Sequence, residues 1–105
     1  MISVTHFRSD DAGFEERAGA ALAVLAARPG FVRGSVGRST DDEREWVLVS
    51  EWTNVGSYRR ALGNYEVKLH ATPLLGEALD VPSSFESLLE VTADGDTTLH
   101  TSDKA

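Results

Sequence analysis

The segment Trp46-Val47-Leu48-Val49-Ser50-Glu51-Trp52 constrains the fold more than any other stretch of the chain. It is dense in β-branched and aromatic residues, and side chains on a strand point alternately to opposite faces. One face carries Trp46, Leu48, Ser50 and Trp52, the other Val47, Val49 and Glu51. Both are apolar in part, whereas a sheet with one face in water alternates more cleanly. Either helices cover one face and a partner covers the other, or the strand is central.

The flanking segments supply a helical layer. Ile2 to Arg8 alternates, with Ile2, Val4 and His6 on one face and Ser3, Thr5 and Phe7 on the other. Ser9-Asp10-Asp11 offers capping side chains and negative charge at a helix start. Phe14, Ala18, Ala21, Leu22 and Leu25 then recur at helical spacing. Arg28-Pro29-Gly30 stops that helix, because proline cannot continue it and glycine permits the turn. Given this stripe, the face bearing Ile2, Val4 and His6 is expected to look toward the helices.

Phe31 to Thr40 reads as a second strand, with Gly34 and Gly37 marking a bulge or a close backbone approach. After the strong strand, Asn54 caps a helix carrying Val55, Tyr58, Ala61 and Leu62, broken at Gly63. Tyr65 to His70 forms a short helix before Pro73, and a helical pattern through Leu74, Leu75, Ala78 and Leu79 runs to Asp80. Pro82 to Thr92 is expected as one last strand. The order β-α-β-β-α-β predicts an α+β, ferredoxin-like domain: an antiparallel sheet with helices on one face. The domain is expected over residues 1–92. Ala93 to Ala105 is polar and lacks periodicity, and is expected to be a disordered C-terminal tail.

Composition narrows the function classes. The 105 residues fit one domain, and at this size a second copy would add useful burial. There is no cysteine, which excludes disulfides, thiolate metal sites and cysteine nucleophiles and agrees with a cytoplasmic setting. No signal pattern or membrane-length apolar run is present. The formal net charge of −7 disfavours nucleic acid and anionic membrane surfaces as partners. Asp41-Asp42-Glu43 and Asp94-Gly95-Asp96 do not continue as calcium loops, and no glycine-rich phosphate loop or nucleophile elbow is present.

Four stretches together resemble one family. They are the opening strand with a polar residue near its end, the helix ending in Arg28-Pro29-Gly30-Phe31, the run VLVSEWTNVGSYRRAL, and KLHATPLL with His70 just ahead of Thr72-Pro73. Over residues 1 to 92 the chain resembles the antibiotic biosynthesis monooxygenase-like domains, small members of the dimeric α+β barrel group. The resemblance implies a homodimer whose two sheets face each other, and a pocket between sheet and helices in each chain.

Its chemistry is mixed. One branch oxidises aromatic substrates with O₂ and no metal or prosthetic group; Trp52 and Tyr58, six apart, match the Trp and Tyr lining its pocket. That branch also uses a strand Asn shortly before the Trp, a place held here by apolar sequence near Leu48. A haem-degrading branch carries a helical His as iron ligand, matched by His70, an Asn near His6, and a helical Trp where this chain has Arg60. The leading expectation is a cofactor-independent monooxygenase acting on a small aromatic molecule. His70 or His6 would take the substrate proton and Trp52 and Tyr58 would shape the apolar wall. The alternatives are a non-catalytic dimeric binding or accessory domain, and a haem-binding protein. His6 and His70 are expected to border one cavity; His100, in the tail, is assigned no role.

Overall fold

In a computed structural model of the chain, which describes residues 1–101, the elements are β1 (Ile2–Arg8), α1 (Phe14–Ala26), β2 (Phe31–Arg38), β3 (Glu45–Trp52), α2 (Val55–Leu62), α3 (Tyr65–His70), α4 (Thr72–Leu75), β4 (Ser84–Phe85), β5 (Leu89–Val91) and β6 (Thr97–Leu99). β1 to β4 form an antiparallel sheet in the order β2-β3-β1-β4, that of a split βαβ unit. The helices pack on one face, so the expected α+β, ferredoxin-like class is the observed one. Among the described residues no helix is long and apolar enough to cross a membrane.

The core lies between sheet and helices. α1 buries Phe14, Ala18, Ala21 and Leu25, a stripe whose alanines let the helix lie close to the strands. Beneath it β3 buries Trp46, Leu48, Ser50 and Trp52, and α2, α3 and α4 add Tyr58, Ala61, Val67 and Leu74. Two glycines allow the close fit. A Cβ on Gly34 would stand 2.6 Å from Leu22 of α1. Gly30 has φ +89°, and a Cβ there would stand 2.4 Å from Ser57.

The structure corrects several expectations. On β1 it is Ser3, Thr5 and Phe7 that are buried under the helices, while His6 is exposed on the other face. The parity is the reverse of the expected one, because two small hydroxyl residues leave room for aromatic rings above them. No side chain of Ser9-Asp10-Asp11 caps α1; its N-cap is Gly13, and Asp11 instead accepts from the Gly13 N–H at 2.8 Å in the turn before it. The pattern running to Asp80 ends as regular helix at Leu75, with Gly76 as C-cap, and continues only as turns. Pro82 to Thr92 is two short strands, not one. β4 edges the main sheet, and β5 turns away to pair with β6, Leu89 facing Leu99 and Val91 facing Thr97. Residues 97–99, assigned to the frayed tail, are thus a paired strand, with Gly95 at φ +92° in the connecting turn; the tail's last residues, 102–105, lie outside the described ones.

Candidate functional site

The aromatic pair singled out in the sequence meets where β1 begins and β3 ends. Trp52 closes β3 and is 2% exposed. Its indole Nε1 donates to Ser50 Oγ at 2.8 Å, which fixes the ring over the sheet. Phe31 stands edge-on to it, with centroids 5.3 Å apart and planes at 87°. Tyr58 arrives from α2, whose start is fixed by the Asn54 side chain accepting from the Ser57 N–H at 2.8 Å. The Trp52 and Tyr58 ring centroids are 5.5 Å apart.

The floor under this pair is hydroxylic, which the sequence reading missed. Ser3 and Ser50 are direct cross-strand partners on the helix-facing side. Ser50 holds Trp52, and Ser3 Oγ lies 3.2 Å from the Tyr58 hydroxyl, to which it donates. Both serines are buried, at 2% and 1% exposure. A buried hydroxyl without a partner costs ~1–3 kcal/mol, so each serine is stable where it sits because an aromatic residue satisfies it. The available signal was the register: placing Ser3 beside Ser50 requires pairing β1 with β3, which period alone does not supply.

Two clefts open at this end of the sheet and meet at Met1. The larger, about 660 Å³, is walled by Met1, Val55, Phe85 and Leu88, with Arg59 at its edge. The smaller, about 240 Å³, is lined by Met1, Ile2, Val32, Trp52, Glu90 and His100 among others. Met1 is clamped to the end of β3: its amine donates to the Trp52 carbonyl at 3.1 Å, and its own carbonyl accepts from the Trp52 N–H at 2.9 Å. At the opposite end of the sheet, clefts of about 420 and 700 Å³ lie over Trp46, lined largely by charged residues including Glu15, Arg38 and Glu43. An apolar ligand is better matched by the Met1–Phe85–Leu88 walls.

The two nominated histidines lie apart. His6 opens onto the uncovered sheet face, and its carbonyl accepts from the Leu79 N–H at 2.8 Å. His70 is on the outside of the helical layer, its side chain 57% exposed and its Nε2 3.4 Å from Glu66 one turn earlier. They border no common cavity, and the cause is the β1 parity that sends His6 away from the helices. Among the described residues no group of three His, Asp or Glu side chains is placed to hold a metal ion.

Comparison with known proteins places the chain in a family. Residues 1–71 match the family model described as antibiotic biosynthesis monooxygenase. The chain belongs to the antibiotic biosynthesis monooxygenase family. Within and around it, the deoxynogalonate monooxygenase of Streptomyces nogalater is 32% identical over 87 residues, covering 83% of this chain and 74% of that protein. The crystal structure of SnoaB, a cofactor-independent oxygenase from Streptomyces nogalater, superposes with a TM-score of 0.66 at 25% identity, over 99% of this chain and 93% of that one. A Mycobacterium tuberculosis protein shares the fold at TM-score 0.67 and 18% identity, over 87% and 97% of the two chains. The monooxygenase-family expectation therefore stands.

Proposed function

We propose that the chain is a cofactor-independent monooxygenase that oxidises a small, electron-rich aromatic molecule at the Met1 end of its sheet. The observation that carries this is the Trp52–Tyr58 pair, packed on the Ser3–Ser50 floor with Trp52 lining the smaller cleft at the Met1 end, in a chain similar along most of its length to a cofactor-independent oxygenase.

The chemistry asks little of the protein beyond shape and a proton acceptor. A phenol with a free para carbon loses its hydroxyl proton, and the ring carbon of the resulting phenolate adds O₂ to give a peroxide. Protonation to the hydroperoxide and loss of water leave a quinone. In sum, phenol plus O₂ gives quinone plus water, the substrate supplying the four electrons that reduce O₂. Trp52 and Tyr58 would position the ring and exclude water. Neither His6 nor His70 is placed beside this pair, so neither is retained as the base.

The active form in this reading is a homodimer. Ile2, Val4, Val47 and Val49 lie on the sheet face away from the helices and are only partly buried, with the exposed Phe85 beside Ile2. A second copy facing the first would enclose these side chains.

The test is O₂ uptake by metal-free protein with a naphthol as probe. Protein-dependent uptake with one quinone formed per O₂ supports the proposal. No uptake, alongside tight binding of the same probe, would support a binding domain instead.

A further inference from the structure

We infer that His100, oriented by Glu90, is the base that removes the substrate proton. This rests on the oxygenase reading above. The hairpin formed by β5 and β6 builds the pair: the His100 N–H donates to the Leu88 carbonyl at 3.0 Å, closing the rung below Leu89 and Leu99. That rung stands between the two clefts, since Leu88 lines the larger and His100 the smaller. From it the His100 ring reaches back across the hairpin, and its Nε2 is 2.7 Å from Glu90 Oε2.

The contact sets the tautomer. A carboxylate only accepts, so Nε2 carries the hydrogen and Nδ1 of the neutral ring keeps its lone pair for an incoming proton. The bond from His100, the largest influence on Glu90, holds that carboxyl below its usual range and keeps it ionised to stabilise an imidazolium. The other charged groups at this cleft are the Met1 amine, Arg33 and Glu51, and the last two pair with each other at 3.2 Å. Trp52 lines the same cleft, whereas neither of the other two histidines lines either cleft at this end. In the step, the phenol O–H bond breaks, its proton forms a bond to Nδ1, and the electron pair stays on the phenolate oxygen. His100 then returns the proton to the peroxide.

The test pairs a binding arm with a turnover arm. In the absence of O₂, a naphthol added to the wild-type protein below the probe's own pKa should show the red-shifted phenolate absorption. That band should fall at least about tenfold in His100→Gln and partly in Glu90→Gln, whose turnover pH profile should also shift. With O₂ present, kcat in His100→Gln should fall by roughly two orders of magnitude, the usual contribution of a positioned base, while KM changes little. A phenolate band equal in wild type and His100→Gln, or absent from both, overturns the assignment. So does unchanged turnover in His100→Gln, which would leave the oxygenase reading standing. A His100-dependent band without any O₂ uptake would keep the base and sink the oxygenase.

Discussion

At the residue scale the site depends on a few satisfied polar atoms under large rings. Trp52→Ala removes a buried indole and leaves Ser50 without its donor, so it should cost ~3–5 kcal/mol in urea unfolding. Trp52→Phe should keep most of the packing and lose chiefly the Ser50 bond, about 1 kcal/mol. Equal losses in the two variants would mean that the indole's size is not what the core uses. Gly30→Ala forces a side chain into φ +89° and against Ser57, and should lower stability by well over 1 kcal/mol. Trp52 and Tyr58 were singled out through the family resemblance, and they meet because one ends a strand and the other sits on the helix that follows it. Ser3 and Ser50 were not, since a serine at period two reads equally well as a solvent-facing residue.

At the scale of elements, the strands and helices through His70 followed from period, with Asn54 capping α2 as expected and the α1 cap not, but everything after Pro82 did not. β4 has two residues and β5 and β6 three each, too short for alternation to show. The legible clue was Asp94-Gly95, a dipeptide suited to a tight hairpin turn, with Val91 before it and Leu99 after it. Among the described residues, the backbone bonds of this hairpin beyond its own ladder run from the Thr92 N–H to Asp96, the Gly95 N–H to Thr92 and the His100 N–H to Leu88, all internal to the arm. Truncation after Thr92 should therefore leave the melting temperature within a few degrees while abolishing turnover with His100. A fall of much more than that, roughly a kcal/mol or above for this size, would show that the arm supports the core.

Acidification tests the same element. Glu90 is held below the ordinary carboxylate range by His100, so its contribution is complete at neutral pH and is lost as the pH falls below that range. Arg17 likewise lowers Glu77, joining α1 to the turn after α4. Hairpin amides should lose hydrogen-exchange protection at acid pH before those of β1 and β3.

At the scale of the whole molecule, the strand that most constrained the fold also carries the proposed assembly. Its helix-facing residues fill the core, and in the proposed dimer Val47 and Val49 with Ile2 and Val4 would meet a second copy. Light scattering at tens of micromolar should report a dimer, and Val49→Asp should yield a monomer with unchanged helix content. A wild-type monomer under those conditions would remove the facing-sheet arrangement. The central claim, oxygen insertion without a cofactor, is tested most directly by turning over a naphthol under isotopically labelled dioxygen with metal-free protein. One labelled oxygen atom should enter the quinone and the other water, dependent on protein. A quinone formed without label, or labelled equally without protein, would contradict it.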